Sequence, residues 1–238
     1  MTRRPLRSRL VLCALPVLLA GVVTLVLARP GESTDRCLRT TERAEQRAAL
    51  VTGEGRQVLV IGDSYSVGVG ADLRDSWPVR LPGRVRVDGF SGSGFSVNAS
   101  GCGDVSYGTR APAALSHHDT RPALVVVEGG LNDTDQPTAA VEKGFGRLME
   151  ALHGVPVLVV GPPRAPERPT ADVESVDATL ARLAAEQHTP YLSMLGVELT
   201  YADDELHPDA AGHRVFGDVV AAEIERLWRS APEVDGGA

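Results

Sequence analysis

The sequence predicts a three-layer α/β/α sandwich around a central parallel sheet of about five strands. Three observations carry that prediction. Short runs of Val, Leu and Ile recur along the chain without polar alternation, as expected of strands covered on both faces. Segments with apolar residues at helical spacing lie between those runs, so strand and helix alternate, as in a parallel sheet built with right-handed crossovers. The 238 residues, 43% hydrophobic and 23% charged, suit one sizeable soluble domain and exclude a disordered chain or a polytopic membrane protein.

The chain opens with an export address. Arg3, Arg4, Arg7 and Arg9 precede an uncharged stretch from Leu10 to Ala28, 19 residues long. As a helix it reaches roughly 28 Å, close to the hydrocarbon core of a bilayer at about 30 Å. Residues 1–28 read as a signal peptide or a signal-anchor transmembrane segment, with the basic start held inside and the body placed outside the cytoplasm. If it is not cleaved, the segment ties the protein to a membrane. Cys13 lies inside it, which leaves Cys37 and Cys102. In an oxidising compartment these two are expected to form one disulfide that clips the N-terminal segment onto the domain, two free thiols being the alternative.

Residues 29–55 form an N-terminal helix and linker. Cys37 to Val51 is charged and helix-prone, and Gly53-Glu54-Gly55 ends it. The domain itself spans 56–230 in this reading, followed by a disordered tail over 231–238. Strands are expected at Val58 to Ile61, Val85 to Val87, Leu124 to Val127 and Val155 to Val160, with a weaker one at Tyr191 to Met194. Helices are expected where Val141, Phe145, Leu148 and Leu152 share a face, where Val173, Val176, Leu180 and Leu183 do, and in a terminal segment marked by Val215, Val219, Ile224, Leu227 and Trp228. Gly161 to Pro169 is a proline-rich loop that forms a rigid rim.

In such a fold the functional residues gather in loops at the carboxyl ends of the strands. Four blocks stand there. The first strand runs into Gly62-Asp63-Ser64, which projects a serine hydroxyl beside backbone N–H groups; alone, Ser64 would read as a helix cap. The second strand leads to Gly89-Phe90-Ser91-Gly92-Ser93-Gly94, with N–H groups unshielded by side chains. The third leads to Gly130-Leu131-Asn132-Asp133, where the Asn132 amide has a donor to offer an anionic oxygen. Near the end, Asp204 precedes His207-Pro208 by three residues. Pro208 disfavours helix at His207, so the loop can fold Asp204 back onto Nδ1 and leave Nε2 free to take a proton from a serine.

Each block is ordinary turn chemistry by itself. Together and in this order they resemble the SGNH hydrolases, the GDSL-type esterase/lipase superfamily, over roughly Gln57 to Trp228. The departure is Tyr65-Ser66, where a leucine often follows the serine. The resemblance implies the flavodoxin-like SGNH hydrolase fold, an esterase, and no cofactor. It implies Ser64 as nucleophile, His207 as general base and then acid, and Asp204 orienting His207. It also implies an oxyanion hole made by the Ser64 N–H, a block-two glycine N–H and the Asn132 side chain. Gly92 fits the family pattern best as that glycine, with Gly94 as the alternative.

The partner is then a small-molecule, lipid or glycan ester. The 24 Lys+Arg against 31 Asp+Glu give −7 overall, and the chain beyond residue 28 stands at 20 against 31, or −11, which argues against nucleic acid. No metal is expected: His117-His118-Asp119 reads as an exposed polar loop, and no H-E-x-x-H or paired C-x-x-C is present. His213 reads as a surface residue of the last helix, and Asp63 and Asp133 as residues that shape their loops. Phe90, Phe95 and Trp77 belong either to an acyl pocket or to the core. A non-catalytic cell-envelope binding module with the same fold is the alternative function, and it would be betrayed by loss of a catalytic residue, which this chain does not show.

Overall fold

The structure, a computed structural model, describes residues 30–116 and 121–230. The expectations for the export segment, for His117-His118-Asp119 and for the C-terminal tail fall outside them. Five strands form one sheet: β1 (Gln57–Gly62), β2 (Arg84–Gly89), β3 (Leu124–Glu128), β4 (Val157–Val160) and β5 (Tyr191–Leu192). Their order is β2-β1-β3-β4-β5, and every pairing is parallel. All five fall where the apolar runs predict them, although the fourth begins at Val157 rather than Val155 and the fifth is only two residues long.

Among the described residues six α-helices accompany the sheet: α1 (Pro30–Ala49), α2 (Ser64–Val67), α3 (Tyr107–Ser116), α4 (Thr138–Ala151), α5 (Thr170–Glu186) and α6 (Ala210–Ser230). The two sheet faces divide the core. Val58, Val60, Val85, Val87, Val126 and Leu158 point to one side, where Phe216, Val220 and Ile224 of α6 and the buried Trp77 cover them. Leu59, Ile61, Val125, Val127 and Val159 point to the other, against Ala111 of α3, Phe145 and Leu148 of α4, and Leu180 of α5. Period-two alternation therefore operates within runs that look uniformly apolar, because both faces are dry. Phe95 and Trp77 are core residues, each fully buried, and Phe90 is nearly so.

The helix α1 begins earlier than the charged segment suggests and lies along the edge strand β2, where Thr52 bridges Val85. Cys37 of α1 is bonded to Cys102, in the loop after β2, at a sequence separation of 65. Among the described residues no helix is long and apolar enough to cross a membrane.

Candidate active site

The loops at the carboxyl ends of β1, β2 and β3 and the loop before α6 carry the four sequence blocks. β1 ends at Gly62, and Asp63 caps α2 by accepting the Tyr65 N–H on Oδ1 at 2.9 Å. A single helical turn follows and closes at Gly68, whose φ of +93° suits only glycine at low cost. Ser64 is the first residue of that turn and is 8% exposed.

The loop before α6 folds as its spacing predicts. Asp204 Oδ2 lies 2.6 Å from His207 Nδ1, and its Oδ1 accepts the N–H groups of Leu206 at 3.1 Å and His207 at 2.9 Å. Partial burial pushes the Asp204 carboxyl up, but the hydrogen bonds from the His207 ring and from these two N–H groups outweigh it and hold Asp204 at about 2. The carboxylate is thus ionised at neutral pH and suited to hold the His207 ring by Nδ1. The loop is fastened to the Ser64 turn. Tyr65, next to Ser64, donates its hydroxyl to the Leu206 carbonyl at 2.6 Å, and its ring centroid lies 6.2 Å from that of His207.

The donor candidates sit in blocks two and three. Gly92 has φ +82°, a Cβ there would meet only Ser100 Oγ at an ordinary 3.9 Å, and its N–H has no acceptor among the described residues. Gly94 is committed to packing, because a Cβ there would meet Asp133 Oδ2 at 2.4 Å. Asp133 accepts the N–H groups of Phe95 at 2.9 Å and Ser96 at 2.8 Å, so it holds the block-two loop against block three. Asn132 Nδ2 donates to Ser93 O at 2.9 Å and to Asp63 Oδ2 at 3.0 Å. Both its protons are engaged in the resting site, and the amide bridges blocks one, two and three. Asp63 and Asp133 shape loops, as expected from the sequence.

Beneath these loops lie three buried carboxyls, Asp63, Glu128 and Asp133. Burial pushes Asp63 up to about 7, with help from the Asp133 charge, and Asp133 up to about 6. It pushes Glu128 well above the usual glutamate range, with the Asp63 charge adding to the effect. Arg110 of α3 ties the strand ends together, donating to Gly62 O at 2.9 Å and Asp88 O at 2.8 Å and pairing with the Asp88 carboxylate. None of Glu128, Arg110 or Tyr65 stands out in the sequence as part of the site. Glu128 alone left a signal there, an acid closing the apolar run of β3.

His213 corrects the sequence reading. It is fully buried rather than on the surface, where it accepts the Trp77 N–H at 3.4 Å on Nδ1 and donates from Nε2 to Val69 O at 3.0 Å. It contacts Tyr65 and locks the chain after α2 onto α6. Beside Asn132 is a cleft of about 370 Å³ lined also by Ala99, Leu131, Thr134, Arg168 and Pro169, so the proline-rich loop does form part of a rim. A larger groove of about 560 Å³ lies at the opposite, amino-terminal ends of the strands, around Leu124, Pro156, Pro190 and Trp228, remote from these loops. Among the described residues no group of three or more His, Cys, Asp or Glu is placed to hold a metal ion.

Known proteins resemble this chain in sequence and fold. The model of the GDSL-like Lipase/Acylhydrolase family fits residues 60–215. The esterase TesA of Pseudomonas aeruginosa is 29% identical over 186 residues, covering 74% of this chain and 88% of its own. Among solved structures, Est24, a carbohydrate acetylesterase from Sinorhizobium meliloti, superposes with a TM-score of 0.61 at 19% identity, over 73% of this chain and all of its own. The aryl esterase of M. smegmatis does so with a TM-score of 0.58 at 18% identity and the same coverage. The chain thus belongs to the GDSL-like lipase/acylhydrolase family.

Proposed function

We propose that this chain is an exported serine esterase that hydrolyses an acyl or acetyl ester through a covalent intermediate on Ser64. The observation that carries the reading is the 2.6 Å contact between Asp204 and His207 in a loop that Tyr65 bonds to the Ser64 turn. His207 takes the Ser64 proton as Oγ forms a bond to the ester carbonyl carbon. The carbonyl oxygen becomes anionic and receives hydrogen bonds from the N–H groups of Ser64 and Gly92 and from Asn132. The unengaged N–H of Gly92 and the tight packing of Gly94 favour Gly92 as that donor.

Asn132 has to turn one proton from Ser93 O to the developing oxyanion, so its contribution grows as charge appears, which is what accelerates a reaction. Collapse expels the alcohol, which takes the proton from His207. Water then attacks the acyl-enzyme, with His207 as base again, and releases the acid and Ser64.

Export rests on the basic start and uncharged stretch of residues 1–28 and on the Cys37–Cys102 bond, which suits an oxidising compartment. The test is hydrolysis of p-nitrophenyl acetate by the purified protein. Ser64→Ala should stay folded and lose nearly all turnover, and a fluorophosphonate should label wild type at Ser64. Undiminished turnover by the variant overturns the proposal.

A further inference from the structure

Two buried, chargeable side chains have no part in the mechanism above, and both reach the same residue. Glu128, at the end of β3, accepts the Ser66 hydroxyl on Oε2 at 2.6 Å. Arg47, near the end of α1, is fully buried and donates from Nε to the Ser66 carbonyl at 3.2 Å. Its Nη1 turns back to Leu50 O at 3.5 Å, Nη2 has no partner among the described residues, and burial pushes the guanidinium down to about 10. Ser66 itself is fully buried, so solvent does not compete for these bonds.

Leaving a buried guanidinium short of partners is costly, and the bond to Ser66 is its shortest. The sequence of β1 is fitted to the same contact. A Cβ on Gly62 would stand 2.1 Å from Ser66 Oγ and 2.7 Å from Glu128 Oε2, so the glycine before Asp63 keeps the slot open in which they meet.

We propose that Glu128 and Arg47 are positioning residues for the nucleophile, gripping Ser66 at its hydroxyl and its carbonyl so that Ser64, two residues earlier, is held in one orientation. The proposal rests on Ser64 as the nucleophile. It also gives α1, which lies outside the family's matched residues, a role in the site.

The experiment compares kcat, KM, the rate of fluorophosphonate labelling and thermal melting of wild type, S66A, E128A, E128Q and R47M, with S64A alongside. S66A removes one oxygen and leaves the main-chain bond to Arg47. It should lower kcat and the labelling rate about 10–100-fold with KM little moved, because a misplacement of about 1 Å is enough to do so. R47M should lower both rates in the same way. E128A should resemble S66A, and E128Q, whose amide oxygen still accepts the Ser66 hydroxyl, should recover most of the loss.

S66A and R47M within about twofold of wild type in kcat, with S64A inactive, overturn the positioning roles. If E128A does not fold, S66A and E128Q decide the Glu128 arm. If S64A keeps full turnover, the nucleophile assignment fails and takes this proposal with it.

Discussion

Replacing both Cys37 and Cys102 by serine is the perturbation whose size the structure fixes most directly. The bond closes a loop of 65 residues between α1 and the segment after β2. Loop-closure entropy scales with the logarithm of loop length, and for about 65 residues it amounts to about 4 kcal/mol at 25 °C, present only while the denatured chain stays cross-linked. For a domain of this size each kcal/mol shifts the melting midpoint by about 2–4 °C, so the double variant should melt roughly 8–16 °C below oxidised wild type.

Calorimetry or circular dichroism, with the bond state of each sample checked by intact mass, reads the shift. Asp133 independently holds Phe95 and Ser96, so the block-two loop should keep its place and esterase turnover at 25 °C should fall far less than stability. A drop below about 3 °C in bonded wild type against the variant would refute the reasoning. It would mean that α1 leaves the domain before the rest unfolds, so that the cross-link no longer constrains the cooperative transition.

Asn132→Ala should lower kcat on p-nitrophenyl acetate about 10²–10³-fold, the loss of about 3–4 kcal/mol of oxyanion stabilisation, as measured by steady-state kinetics. Gly92→Ala should cost about 1–2 kcal/mol of backbone strain in a urea melt. Gly94→Ala should cost about 3 kcal/mol or more, because its Cβ displaces Asp133 from two buried N–H groups. His213 is held neutral by burial, its folded pKa below the ordinary 6.5. The unfolded chain therefore binds the extra proton first as pH falls, and stability is lost from about 6.5 downward through the lower folded value. The wild type's advantage over His213→Gln in urea midpoint should shrink as pH falls below about 6.5, and a constant difference would rule out the titration.

The sequence reveals most where one stretch of chain carries the whole signal. The strands are legible because each is a run of β-branched and aliphatic residues dry on both faces, and Asp204 and His207 because a three-residue spacing before proline brings them together locally. The helix α3 left no pattern: its apolar residues are mainly alanine, and Pro112 sits inside it. The bond from Tyr65 to Leu206 joins positions 141 residues apart, which no local spacing encodes. His213 misleads because Arg214 and Val215 beside it are exposed while its own side of α6 faces Tyr65 and Trp77. Arg47 and Glu128 matter through distant partners, so their shared contact with Ser66 became visible only in three dimensions.

The short loop that holds Asp204 and His207 behaves as a cassette. Carboxylate and imidazole are bonded within it, and the Ala202 N–H to His207 O bond of 2.8 Å and the Tyr201–Pro208 bridge brace its two ends against each other. Acid and base therefore travel together, and for proton transfer the proposed catalyst has to align that cassette with the serine turn. A change that loosens the Tyr65–Leu206 bond therefore shifts acid and base as one body relative to Ser64.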